Sequence, residues 1–305
     1  MRGHRVPQEM MMSTNLAAPY PQTCHPGVPH AALRSFQNLA RYYESPLHAP
    51  TLDAFAAASK WAQSVDRDGR RPLIVDSGCG TGRSTRMLAV ANPNAIVIGL
   101  DRSMQRLRKG GGGSGCGGGD SATSEIMPSN ALLVRAEMAS FWRLMLQQDV
   151  DISRRVGVNS HLAASRIERH FVLYPNPYPK SSRLNLRWHG HPVLPVLLGL
   201  GGSLELRSNW RVYLEEMQQA TLLLAEHASA DRATSDASDG ASDSADSLKA
   251  ASLCAERIRT RRAPVLEELP PLHDAEDALT LFERKFVRER EQLHRLLLPA
   301  NVPAR

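Results

Sequence analysis

Seven consecutive residues, Asp76-Ser77-Gly78-Cys79-Gly80-Thr81-Gly82, combine a carboxylate with three glycines at alternate positions. Glycines let a backbone approach a ligand closely, and a helix that starts just after them offers free N–H groups and the positive end of its dipole. A dinucleotide fold carries G-x-G-x-x-G at such a turn. Here Arg83 stands where the third dinucleotide glycine would be, and its bulk argues against close pyrophosphate packing. Asp76 would repel a pyrophosphate and suits a cationic ligand, such as the amino group of a methionine moiety. Asp101, with Arg102 beside it, closes the next apolar run near the spacing of an acid that grips ribose hydroxyls. The two acids together with Gly78, Gly80 and Gly82 favour S-adenosylmethionine over NAD as the cofactor; the plainer alternative is a tight turn with two capping acids. Glu137 and Met138 follow a third apolar run, where Glu137 can reach an adenine and Met138 can lie against its face. The same pair reads equally well as an N-cap and a core methionine.

A second segment carries substrate chemistry. Tyr174-Pro175-Asn176-Pro177-Tyr178-Pro179-Lys180 follows a fourth apolar run, and three prolines stiffen it as an active-site wall. Lys180, Arg183, Arg187, Trp188, His189 and His191 come next. Cations beside a cofactor edge form a phosphate-contact surface, and Trp188 is a candidate to stack a base. The bland readings are a structural turn, a solvated basic face and a core tryptophan.

The elements that must hold these residues follow from the apolar pattern. Strand-like runs at 72–76, 95–101, 131–135, 170–174 and 203–208 alternate with helix-like segments at 83–91, from 103, at 138–148, 191–200 and 210–227. Such alternation predicts a doubly wound, mostly parallel sheet with helices on both faces. It also puts the chemistry-bearing turns at the carboxyl ends of strands, where open α/β sheets bind ligands. Apolar positions in 29–65 add two helices broken at Ser45-Pro46. Residues 1–28 are expected to be a disordered N-terminal segment. One domain then covers 29–305, interrupted by flexible insertions at 110–120, nearly all glycine, and at 228–248, rich in Ala, Ser and Asp. The glycine run lacks the Lys-Ser/Thr that ends a phosphate loop.

Of 305 residues, 37 are Lys or Arg and 31 are Asp or Glu, for a net +6. Residues 228–248 hold five Asp and one Arg, a local −4, so the rest of the chain carries +10. That balance suits a polyanionic partner, though it also serves solubility. None of the four cysteines sits in a CxxC pair or a Cys/His metal spacing, so no metal and no structural disulfide is expected. With no apolar run of membrane length and no secretory core at the N-terminus, the expected location is the cytoplasm, away from membranes.

On these residues the chain resembles the bacterial-type tRNA (guanine-N7)-methyltransferases of the class I S-adenosylmethionine-dependent superfamily. The resemblance covers about residues 30–108, 130–150, 170–225 and 278–298. It runs through the glycine loop, Ile98-Gly99-Leu100-Asp101, Asn130 to Glu137, the Pro-x-Pro-x-Pro-Lys loop at 175–180 and Ser208-Asn209-Trp210-Arg211-Val212-Tyr213. Its most specific piece is Thr280-Leu281-Phe282-Glu283-Arg284. The resemblance implies a seven-stranded Rossmann-like methyltransferase sheet and a tRNA or other structured RNA as partner, a second copy or partner subunit being left open. It implies cofactor binding at Asp76, Asp101, Glu137 and Asn176, and substrate contact at Lys180, Asn209, Thr280 and Glu283, with Asn176 and Asn209 nearest the chemistry.

Three places depart from the family, and at two of them a carboxylate has become an amide. Asn176 stands where a Pro-Asp-Pro acid is usual, and Ser208-Asn209 replaces Thr-Asp; Glu137 replaces an Asp, a milder change. Guanine N7 has a free lone pair and needs no general base, but nearby carboxylates would stabilise the cationic product. Charge-assisted hydrogen bonds are roughly twice as strong as neutral ones, so one lost charge costs on the order of 1–2 kcal/mol. Two alternatives follow. One is an N-methyltransferase acting on another RNA base or a protein amide, since Asn176-Pro177-Tyr178-Pro179 is reminiscent of the Asn-Pro-Pro-Tyr loop of amino-methyltransferases. The other is a catalytically weak RNA-binding homologue. In the guanine-N7 reading Glu283 remains as an acid near the base.

Overall fold

A computed structural model describes residues 20–109, 126–154, 160–234 and 244–300. Seven strands form one sheet: β1 Leu73–Ser77, β2 Ile96–Asp101, β3 Ala131–Arg135, β4 Ile167–Leu173, β5 Ser203–Ser208, β6 Val265–Glu268 and β7 His294–Leu298. Their order is β3-β2-β1-β4-β5-β7-β6. The first five are parallel, and β7 runs antiparallel to both β5 and β6. This seven-stranded sheet is doubly wound and mostly parallel, as the alternation predicts. β1 and β2 are buried along their whole length, as strands covered on both faces must be.

Ten helices among the described residues accompany it: α1 Val28–Gln37, α2 Leu39–Glu44, α3 Ala49–Val65, α4 Arg83–Ala91, α5 Met104–Lys109, α6 Met138–Arg154, α7 Leu194–Gly199, α8 Arg211–Thr234, α9 Ala245–Thr260 and α10 Leu281–Arg288. The period-two alternation of strand side chains divides the core. Leu73, Val75, Ile98 and Leu206 meet Phe141, Trp142, Leu197 and Met217 from α6, α7 and α8 on one face. Ile74, Val97 and Phe171 meet Leu88 and Ala89 of α4 on the other.

The chain builds outward from β1 to β3, then returns to the centre for β4. That reversal leaves a switch point between β1 and β4, the place where open α/β sheets form a ligand crevice. Because five strands share one direction, the glycine loop, Asp101, Glu137, the 174–180 loop and Asn209 all arrive at a single edge. The antiparallel β7 begins at that same edge, with His294 opposite Ser208, and so brings α10 and the turn after it to the site.

Two expectations are corrected. Residues 20–28 are ordered: Tyr20 stacks on Trp210 with ring centroids 5.2 Å apart, Trp210 Nε1 donates to Pro21 O at 2.7 Å, and Val28 is fully buried. Only residues 1–19 of that segment lie outside the described residues. The 228–248 insertion is narrower than its composition implied. Residues 228–234 complete α8 and 245–248 open α9, leaving 235–243 outside the described residues. Helix α9 was hidden in an Ala/Ser/Asp-rich stretch, yet it places Ala250, Cys254 and Ile258 on one buried face and is capped by Ser244, which accepts from Ser247 N–H. Strand β6, four residues long with exposed ends, gives little alternation to read. The 110–120 insertion lies outside the described residues, and no helix among the described residues is long and apolar enough to cross a membrane.

Arg261 locks the far end of this frame. It is 8% exposed, has no carboxylate partner among the described residues, and donates to the carbonyls of Leu198, Leu200, Gly202, Leu298 and Pro299 at 2.7–3.4 Å. Burial, and then the nearby charge of Arg257, pulls its pKa down to about 10. Replacing it orphans several buried carbonyls. Arg261→Met is therefore expected to lower unfolding free energy by about 3 kcal/mol in urea denaturation; an unchanged midpoint would contradict this tie between α7, β5 and β7.

Candidate active site

The glycine loop is held from three sides. Gly78 and Cys79 donate their N–H groups to Leu100 O at 2.7 and 3.0 Å, which presses the loop onto the end of β2. Gly80 donates to Asp101 Oδ2 at 3.0 Å, while Asp101 Oδ1 accepts from Ser103 N–H at 2.7 Å and lies 3.4 Å from Arg106. From below, Asp76 Oδ2 accepts from Ser84 Oγ and Thr85 Oγ1 at 2.6 and 2.7 Å, fixing the first turn of α4. Both acids are buried, and burial pushes the Asp76 carboxyl up to about 6.

Gly82 is required by both space and φ, and Gly80 by φ alone. Gly82 caps α4 at φ 77°, and a Cβ there would meet Leu133 Cδ1 at 2.5 Å. Gly80 has φ 61°, and no atom lies within 4 Å of where its Cβ would be. The loop is thus tight against the sheet at Gly82 and open outward at Gly80.

Beside the opening is a cleft of about 530 Å³ between the ends of β2 and β3, lined by His48, Pro50, Arg102, Ser103, Arg135 and Glu137 among others. Arg102 is exposed on its rim. Glu137 is engaged as an N-cap: its two oxygens accept from Ala139 and Ser140 N–H at 3.0 and 2.7 Å, and its own N–H donates to Thr51 Oγ1 at 2.9 Å. Met138 is half-buried and packs on the core.

Across the switch point stands the 174–180 loop. Tyr174 and Tyr178 adopt φ 51° and 42°, a left-handed backbone that costs a β-carbon residue roughly 1–2 kcal/mol each. Hydrogen bonds offset that strain. Tyr174 N–H donates to Arg207 O at 2.9 Å, and Arg187 donates to Tyr178 O and Pro179 O at 3.1 and 3.2 Å. Asn176 is exposed at the tip, its Oδ1 accepting from Tyr178 N–H at 3.3 Å, and Lys180 is exposed after it.

The basic run that follows is not the continuous phosphate surface its composition implied. Arg187 and His189 are buried against Glu216, each 2.7 Å from Glu216 Oε2, and His25 N–H donates to Oε1 at 2.7 Å. Burial raises the Glu216 carboxyl, but His189, the His25 N–H and Arg187 outweigh it and hold the group below its usual range. Trp188 packs on Trp142 at 5.0 Å and on His191 at 5.9 Å, so it belongs to the core. Of the residues read as phosphate contacts, Lys180 and Arg183 are exposed.

Thr280 and Glu283 lie at the start of α10. Thr280 is its N-cap and accepts from Glu283 N–H at 2.9 Å. Glu283 is 1% exposed and accepts from Leu279 N–H and from Arg207 Nη1, both at 2.7 Å. Its charge is therefore already paired. An exposed carboxylate beside Asn209 is Glu291, which accepts from Asn209 Nδ2 at 2.8 Å. Sequence reasoning missed Glu291, because only the antiparallel pairing of β5 and β7 brings it beside Asn209.

No protein-family profile matches the chain. A 59-residue segment, 19% of the chain, is 41% identical to the trans-aconitate 2-methyltransferase of Deinococcus radiodurans and spans 23% of that enzyme's length. Among solved structures, the 16S rRNA methyltransferase KamB is similar at 17% identity over 78% of this chain and 92% of that one, with a TM-score of 0.39. A 16S rRNA (adenine(1408)-N(1))-methyltransferase variant from Catenulisporales acidiphilia, solved with SAM, gives 17% identity over 86% and 95%, with a TM-score of 0.40.

Asp76 generates a pH prediction. Its folded pKa of about 6 lies above the ordinary 3.8, so the folded protein holds this proton more tightly than the unfolded chain. The stability this confers is complete below about pH 4 and is lost as pH rises through about 6. The melting temperature of the ligand-free Asp76→Asn variant should fall less than wild type over that window and lie above it at neutral pH. A variant less stable than wild type at neutral pH would refute the buried-charge assignment.

Proposed function

We propose that this chain is an S-adenosylmethionine-dependent methyltransferase acting on a base of structured RNA, with N7 of a tRNA guanine as the acceptor. The observation that carries the reading is the outward-open Gly80 between two buried strand-end acids at the sheet's switch point. The residues suit this cofactor. The negative field of Asp76 favours a cationic ligand, Asp101 keeps lone pairs free for a ribose hydroxyl, and the cleft by Arg102, Ser103 and Glu137 accommodates an adenosine. Gly78, Gly80 and Gly82 keep the floor low, and Met138 backs the adenine side. When bound, the cofactor supplies an electrophilic methyl on a sulfonium.

The chain's own task is alignment. Guanine N7 presents a lone pair, so no residue has to remove a proton; the rigid 174–180 wall holds the base in line and excludes water. Asn176 lies at the mouth between donor and acceptor, and Lys180 supplies a cation for phosphate. The base becomes cationic as the N7–methyl bond forms and the sulfur–methyl bond breaks. Glu291 is the carboxylate that answers this charge, with Asn209 donating to it. Asn209 then need not be acidic itself, since a second carboxylate 2.8 Å from Glu291 would be repelled. Thr280 and Glu283 act as positioning residues that hold α10 and Arg207 against the acceptor loop.

A base amine or a protein amide is the second reading, favoured by Asn176 at the loop tip; one acceptor site of its Oδ1 is already taken by Tyr178 N–H. Incubation with unmodified tRNA and methyl-labelled cofactor, followed by nucleoside analysis, is expected to yield 7-methylguanosine. Glu291→Gln should lower kcat roughly tenfold with cofactor affinity unchanged, the loss of about one charge-assisted interaction. Another labelled nucleoside, or label in protein alone, would replace the guanine-N7 assignment.

A further inference from the structure

Helix α10 turns Glu283 inward and leaves a different set of residues outside. Leu281 and Phe282 are 50% and 55% exposed, two large apolar side chains in succession at the helix start. Leu281, Arg284, Lys285 and Arg288 follow at the i, i+3, i+4 and i+7 positions of one stripe. Together with Glu289 they line a shallow cleft of about 400 Å³. Lys285 and Arg288 are each 62% exposed. Their ion pairs are long and wet: Lys285 to Glu289 at 3.7 Å, and Arg288 to Glu276 at 3.8 Å. Arg284 also pairs with Glu276. Exposed pairs of this kind hold little energy and yield readily to a stronger anion.

The position of this stripe matters as much as its composition. Phe286, on the inner side of α10, packs on Tyr174 at 5.7 Å, where the 174–180 loop begins. Arg83, just after the glycine loop, donates to Ala278 O and Glu276 O, which anchors the segment leading into α10 beside the cofactor crevice. The outward face of α10 therefore forms one lip of the candidate site. An exposed aromatic ring beside cations at intervals of one helical turn is suited to single-stranded nucleic acid, where a base stacks and the backbone follows the charges.

We infer that the outer face of α10 is an RNA-binding lip. Phe282, flanked by Leu281, stacks a nucleotide neighbouring the methylated base, and Lys285 and Arg288 hold its phosphates. The inference rests on the RNA-methyltransferase reading above and adds to it a surface distinct from Thr280 and Glu283, which face inward.

The test uses the full chain, end-labelled unfractionated tRNA as the RNA probe, and fluorescence anisotropy over a range of salt. Phe282→Ala is expected to weaken RNA binding roughly tenfold. The double variant Lys285→Ala/Arg288→Ala should weaken it further at low salt and reduce the slope of log affinity against log salt by about one to two. Melting temperature and S-adenosylmethionine affinity, measured in parallel, should remain at wild-type values. If wild type binds tRNA and both variants match it in affinity and slope, the lip is wrong while the proposed function stands. If wild type binds the cofactor but no RNA, the RNA reading itself fails and the lip with it. A change confined to sedimentation behaviour would show that the stripe meets a second protein copy, and would also overturn the inference.

Discussion

The donor half of the site depends on one buried carboxylate. Asp101 accepts from Gly80 on one oxygen and from Ser103 on the other, with Arg106 beside it. Those contacts fasten the glycine loop, the end of β2 and the lead into α5 to a single point. Both donors are backbone N–H groups, so the geometry is set by main chain rather than by mobile side chains. Asp76 does the corresponding work beneath the loop through Ser84 and Thr85. The two buried charges are tolerable because hydrogen bonds meet them, yet burial still drives Asp76 up to about 6. Such a site is primed for a ligand that brings positive charge.

The acceptor half has its own hub. Glu216, fully buried on α8, gathers Arg187, His189 and the His25 backbone, and Arg187 in turn holds the carbonyls of Tyr178 and Pro179. One carboxylate thus connects the ordered segment before α1 to the strained loop across the switch point. The two left-handed tyrosines persist because this frame over-determines them. The two walls are each stiffened from behind, and Asn176, Lys180, Glu291 and the outer face of α10 are exposed at the mouth.

The parts legible in the sequence were those encoded by neighbours in the chain. A buried strand, three alternating glycines and a helix start declare themselves within ten residues or so, as do Asp101 at a strand end and the β–α alternation that orders β1 to β5. Roles set by distant partners stayed hidden. Nothing near Arg187 or His189 announces Glu216, so a basic run looked like a surface. Thr280 and Glu283 matched a family motif whose carboxylate is here paired by Arg207, from another strand. Glu291 acquires meaning only when Ser208 pairs with His294. Helix α9 and the order of residues 20–28 are masked by composition, although Ala250, Cys254 and Ile258 are buried and Tyr20 stacks on Trp210.

The glycine loop and its two acids are the proposed site of a cationic adenosyl ligand, and calorimetric titration of the chain with S-adenosylmethionine checks it. One site per chain is expected, with affinity flat above about pH 7 and falling below about pH 6 as Asp76 takes up its proton, since a cationic ligand favours the ionised acid. A folded chain that gives no binding heat across that range, or one that binds more tightly as pH falls through 6, would contradict it.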